Sequence, residues 1–151
     1  MSKKSKKERK LKKTSERNSQ KLKTTPIEEG KIHFRFDYFD ATHTFFDGSA
    51  ADFDWARNML KRLKTLQDTT VDYFKTDMVF RKTQYVHPIN WDKAELNSFD
   101  IQQASPDLDE DAWQFGISKG KGRVHGFFIG DFFHVVWIDP EHRLNKYWTP
   151  N

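Results

Sequence analysis

Arg123, His125, Asp139 and His142 fall close together near the C-terminus and have the side chains of an acid–base site. Histidine, with a free pKa of ~6.5, can hold or release a proton near neutrality. Two histidines beside an arginine suit RNA cleavage without a metal ion. One imidazole or a carboxylate takes the 2′-hydroxyl proton, the arginine stabilises charge on the phosphoryl oxygens, and the second imidazole protonates the leaving oxygen. In that scheme His125 and His142 are the proton-transfer pair, Arg123 is the charge stabiliser and Asp139 the candidate carboxylate. Two other readings stand beside it. His125, Asp139 and His142 could be metal ligands, but the set lacks a fourth ligand and a helix to carry it, so no metal or cofactor is expected. Alternatively, His125 and His134 are hydrogen-bonded sheet residues and residues 139–142 form a turn with incidental polar groups.

The elements that must position these groups are two strands and their connection. Trp113, Phe115 and Ile117 alternate with other residues, a Gly-rich turn follows over 118–122, and strands over 123–129 and 132–138 flank the two-residue loop Gly130-Asp131. An antiparallel meander results. A two-residue loop pairs Ile129 with Phe132, Phe127 with His134, His125 with Val136 and Arg123 with Ile138. Period-2 alternation then puts Val124, Gly126, Phe128, Phe133, Val135 and Trp137 on a core face. Arg123, His125, Phe127, His134, Val136 and Ile138 share the other face, whose mixed character suits a ligand groove or a second packing surface. Lys119 and Lys121 in the Gly-rich turn, with Arg143 beyond the strands, would add a positive rim, although the turn does not match a P-loop. Arg81, His87 and Trp91 form a second cluster that either completes the groove or packs.

Upstream, Ile32, Phe34, Phe36 and Tyr38 alternate as a half-buried strand does. Residues 39–48 read as a loop or a second short strand that turns Phe45 and Phe46 inward. A helix is expected over 51–67, capped by Ser49 or Asp52, with an apolar stripe of Phe53, Ala56, Leu60, Leu63 and Leu66 widened by Trp55 and Met59. Arg57, Lys61 and Lys64 form its solvated basic face. Thr69 or Thr70 caps a further short helix. Residues 78–89 lean toward strand, His87-Pro88 disfavours helix, and 97–111 reads as a surface loop.

Charge is unevenly distributed. The chain of 151 residues carries a net +4, yet eleven basic and two acidic side chains fall within residues 1–23, which leaves the remainder at −5. Residues 1–30 read as a disordered basic arm and 31–151 as one domain, because Leu11 and Leu22 are the only large apolar side chains from Ser2 to Thr25. Lys3, Lys4, Lys6 and Lys7 in the arm are candidates for touching nucleic acid phosphates, against the plainer reading of a solubilising tail. The absence of Cys excludes disulfides, thiolate metal sites and a cysteine nucleophile, and fits a cytoplasmic location. No membrane span and no secretory signal is expected.

The blocks Trp113-Gln114-Phe115, Arg123-Val124-His125-Gly126-Phe127, Val136-Trp137-Ile138-Asp139-Pro140 and His142-Arg143-Leu144 resemble short bacterial proteins of unassigned function. The arrangement is also loosely similar to the RelE-like toxins, small ribonucleases whose C-terminal antiparallel strands carry Arg, Lys and His or Tyr around a substrate groove. That resemblance implies Arg123, His125 and His142 in those roles, RNA as substrate and an antitoxin as protein partner. An acidic domain and a strand placed before the helix depart from the toxin pattern. The expected fold is α+β, with a mostly antiparallel sheet packed on one amphipathic helix. The expected function is a nucleic-acid-acting protein, most concretely a metal-independent ribonuclease. The alternative is a non-catalytic adaptor that binds a protein through the mixed sheet face, with its aromatic side chains as hot spots.

Overall fold

Five strands form one sheet in the order β1-β5-β4-β3-β2 in a computed structural model of the chain, which describes residues 28–101, 108–117 and 122–145. The strands are β1 (His33–Arg35), β2 (His87–Pro88), β3 (Ala112–Gly116), β4 (Arg123–Ile129) and β5 (Phe132–Asp139). The fold is α+β, as expected. The sheet is mixed rather than mostly antiparallel, because β1 lies parallel to β5 while the other neighbours are antiparallel. Of the basic arm, residues 1–27 lie outside the described residues; Gly30, at its end, donates its N–H to the Asp131 carboxylate and accepts from the Val71 N–H. Among the described residues no helix is long and apolar enough to cross a membrane.

Three helices pack on one face: α1 (Phe53–Leu66), α2 (Val71–Thr76) and α3 (Met78–Gln84). Each starts on a capping side chain, that of Asp52, Thr70 and Asp77 respectively, which accepts the backbone N–H of Trp55, Tyr73 and Phe80 in turn. Residues 78–84, which lean toward strand in the sequence, are therefore helical. The Asp77 cap and the left-handed Tyr85 that ends the segment outweigh the β-branched composition. The inward stripe of α1 is the buried Leu66 with the partly buried Trp55, Met59 and Leu63. Phe53 and Leu60, expected inside, are 81% and 64% exposed. These helices cover a core built on Phe74, Phe115, Phe128 and Phe133.

The opposite face is also covered, by loops. Phe46, Ala94, Phe99 and Leu144 pack with Phe127, Val136 and Trp137 of the strands, and Trp91 packs onto the same cluster. Of the two phenylalanines expected inside, Phe46 is buried and Phe45 is exposed. The 97–111 segment likewise contributes Phe99 and Leu108 to packing, so its described part is more than a surface loop. The mixed strand face is thus a second packing surface.

The hairpin register changes part-way along. Ile129 pairs with Phe132 and Phe127 with His134, as the two-residue loop demands. Beyond Gly126–Val135 a bulge inserts Val136, so His125 faces Trp137 and Arg123 faces Asp139, where Val136 and Ile138 are expected from sequence. Gly126 permits the close approach, since a Cβ there would lie 2.1 Å from the His134 carbonyl oxygen. The extra residue shifts every later side chain of β5 to the opposite face. Trp137 moves to the loop side and Ile138 to the helix side. Asp139 lands on the face of His125.

Candidate functional site

Because of that bulge, the His125 Nε2–H meets the Asp139 carboxylate at 3.1 Å, with both side chains fully buried. Asp139 also accepts the N–H groups of Arg143 at 2.7 Å and Leu144 at 3.0 Å. Burial pushes the Asp139 carboxyl toward the neutral form. The His125 hydrogen bond, its charge and the two backbone amides outweigh this, and the pKa is lowered below that of a free aspartate. Asp139 is therefore an ionised anchor. It pulls the chain after β5 into a tight loop in which His142 takes a positive φ of 58°.

That loop aims His142 into an open cleft of about 280 Å³. His87 stands at its mouth, and Asn90, Lys93, Gln114 and Asn145 also line it. His87 arrives there because β2 pairs with β3, setting His87 opposite Gln114. Burial holds the His142 imidazole down to a pKa of about 4; Arg123 adds to the effect, Asp139 opposes it, and His125 and His87 add further repulsion. His87 is depressed for the same reasons, desolvation first and then the charges of Arg81 and Arg123. Both imidazoles are thus neutral at pH 7 and sit in a positive field.

Arg123 is the common source of that field. It is only 7% exposed. Its guanidinium lies 4.9 Å from the Tyr85 ring centroid and donates to the Gly122 carbonyl at 2.9 Å. Desolvation lowers its pKa against the stabilising influence of Tyr85 and Asp139, yet an arginine remains charged. The buried cation acts through space.

The structure brings Arg123, His125, Asp139 and His142 into one electrostatic unit but gives them different exposure. Only His142 faces the cleft; His125 and Asp139 lie beneath it. His134 is elsewhere, stacked on Phe127 with ring centroids 5.2 Å apart. Arg143 points away from His142, onto Phe45. Lys3, Lys4, Lys6, Lys7, Lys119 and Lys121 lie outside the described residues. Of the cluster Arg81, His87 and Trp91, His87 completes the groove, whereas Arg81 lies over Trp113 and Trp91 donates to the Asp109 carbonyl. Gln114, Asn90 and Asn145 went unmarked in the sequence. The Trp113-Gln114-Phe115 alternation was the available signal, since it turns Gln114 away from the helix-side core.

Among the described residues no group of three or more His, Asp and Glu side chains is placed to hold a metal ion. No protein-family model matches the chain, and no curated protein or solved structure is significantly similar to it.

Proposed function

We propose that the protein acts on RNA, binding a phosphodiester between His87 and His142 and cleaving it by proton transfer without a metal ion. One observation carries this reading: two neutral imidazoles from distant parts of the chain line one open cleft that Arg123 makes positive. His142, neutral throughout the physiological range, is the base for the 2′-hydroxyl. The 2′-oxygen attacks phosphorus and the 5′-oxygen leaves with a proton. His87 supplies that proton, because a bound phosphate anion raises its pKa toward neutrality. Lys93, Gln114 and Asn90 offer donors to the non-bridging oxygens. Relative to the sequence scheme, His87 replaces His125 as a proton-transfer group, and His125 with Asp139 becomes the support of the His142 loop.

In this reading the basic arm, with Lys119 and Lys121, supplies salt-sensitive attachment to the RNA backbone. A ribonuclease of the toxin or mobile-element kind, held in check by an antitoxin-like partner, is the setting it suits. The test is incubation of the full chain with end-labelled single-stranded RNA in the presence of a chelator. Products should carry 2′,3′-cyclic phosphate and 5′-hydroxyl ends. His87→Ala and His142→Asn should abolish cleavage at an unchanged melting temperature, asparagine being chosen because it tolerates positive φ. Absence of cleavage across RNAs of varied sequence, or full activity in both variants, overturns the reading.

A further inference from the structure

On the far side of the His142 loop lies a second, larger pocket of about 540 Å³. Its wall is aromatic. His43 stacks on Phe46 at 4.5 Å with an interplanar angle of 17°, and Phe45 stands beside them. The Arg143 guanidinium lies 4.2 Å from the Phe45 ring centroid and also approaches Glu141 at 3.7 Å. Leu96 adds an apolar wall and Glu95 an exposed carboxylate at the rim. The His43 Nδ1 accepts the N–H groups of Phe45 and Phe46, which fixes the ring as part of the wall.

The two pockets share a partition. Glu95 donates its N–H to the Leu144 carbonyl at 2.9 Å, and Ala94 bridges Asn145. The two segments serve both sides: Lys93, Ala94, His142 and Leu144 line the first cleft, while Glu95, Leu96 and Arg143 line the second pocket. The two pockets are therefore neighbours, parted by these two backbone segments.

We propose that the second pocket is a nucleobase subsite, taking the base next to the phosphate held by His87 and His142. The substrate class this implies is single-stranded RNA, whose splayed bases stack on aromatic rings and on arginine planes. This assignment of substrate class rests on the functional reading above. The exposed part of the Phe45 ring, with the Arg143 guanidinium already packed on it, provides the aromatic and cationic wall for a base. Glu95 accepts from an exocyclic amine and thereby favours bases that carry one, while Leu96 and Phe46 exclude water. Phe45 is 46% exposed on a loop whose neighbour Phe46 is the one that joins the core.

The test uses the full chain, observed by NMR with selectively labelled Phe, Arg and His. The four free nucleosides and inorganic phosphate are the separate probes. A nucleoside bearing an exocyclic amine should shift Phe45 and Arg143 signals, and Phe45→Ala should weaken its binding by about tenfold or more, as loss of a base stack does. Glu95→Gln should narrow the preference for amine-bearing bases. Inorganic phosphate should shift His87 and His142 alone and bind Phe45→Ala as it binds the unaltered chain. If no nucleoside shifts Phe45 or Arg143, or if Phe45→Ala leaves nucleoside binding intact, the subsite is refuted. Nucleoside binding without phosphate binding would uphold the subsite and refute the phosphodiester cleft.

Discussion

The helix-side core and the loop-side core lie against the same strands, yet they are built by different means. On the helix side the core is aromatic and aliphatic, and most of it comes from regular elements: Leu66 of α1, Phe74 of α2, Phe115, Phe128 and Phe133 of the sheet. On the loop side Phe46, Ala94, Phe99 and Leu144 lie outside any helix or strand, and His125, His134 and Asp139 are buried among or beside them. A helix satisfies its own backbone, so it can be held by apolar contact alone. A loop cannot. Here Asp139 accepts two loop amides, the Val136 carbonyl accepts the Asp40 N–H, and the Phe46 carbonyl accepts the Ile138 N–H. The polar groups of the loop side are therefore scaffold first, and the cleft exists because that scaffold is polar.

The largest effect should come from the helix side. Phe74 is 1% exposed and makes ring contacts with Trp113, Phe115, Phe128 and Phe133. Phe74→Ala should cost about 3–5 kcal/mol in urea unfolding, the range for truncating a buried phenylalanine. Phosphate binding by the remaining folded molecules should be unchanged, because no cleft residue touches Phe74. A variant that stays stable but loses the cleft would break the division between the two sides.

Acid should act on the loop side instead. The folded state holds His142 near pKa 4 against an ordinary 6.5, so folding favours the neutral ring. Stability is then full above pH 6.5 and falls as pH drops toward 4, by about 3 kcal/mol at 1.36 kcal/mol per unit. His87 and His134, both depressed with desolvation as the first cause, add in the same direction. Asp139 works in a lower window. Its folded pKa is depressed below 3.8, so its contribution persists until the pH falls beneath the ordinary carboxylate range. Melting temperatures of the unaltered chain between pH 7 and 4 should fall in that first window, and His142→Asn should flatten the fall. An equally steep fall in His142→Asn would reassign the titrating group.

How much of this could be read from the sequence differs in the same way between the two sides. The meander, the Gly130-Asp131 turn and the helix over 53–66 follow from local periodicity and capping, and these were legible. The face of β5 was not. Reading two strands by strict alternation assumes an unbroken ladder, and the bulge at Val136 is a tertiary event signalled only by Gly126. Hence chain proximity suffices to place Arg123, His125, Asp139 and His142 near one another, while the contact of Asp139 with His125 cannot be read from it. His87 could be named only within a loose cluster, since its place in the cleft depends on the pairing of β2 with β3. The rotation of the α1 stripe, with Leu60 outside, reflects which neighbours the helix meets, and helical spacing alone leaves that open.

Asp139→Asn sharpens the comparison with a smaller expected effect. Asparagine keeps the shape and one acceptor, but loses the charge and presents an amide donor to a group that already donates. A loss of about 2 kcal/mol is expected, from weakened hydrogen bonds to a formerly charged group. Hydrogen exchange should localise the damage to the Arg143 and Leu144 amides while the Phe115 and Phe133 amides stay protected. Uniform loss of protection over both sets would mean that the carboxylate supports the whole sheet.

The smallest effect belongs to the outward face of α1. Leu60 is 64% exposed, whereas Leu63, one turn on, packs against the helix-side core. Glutamine has nearly the helix propensity of leucine. Leu60→Gln should therefore change stability by no more than about 0.5 kcal/mol, as exposed substitutions generally do. Leu63→Gln should cost several times as much, because it replaces apolar packing on the helix-side core by a polar amide. Paired urea titrations separate the two outcomes. If Leu60→Gln proved as costly as Leu63→Gln, α1 would be rotated toward the stripe of Phe53, Leu60 and Leu63 that the periodicity favours, and the helix-side core would have to be redrawn around it.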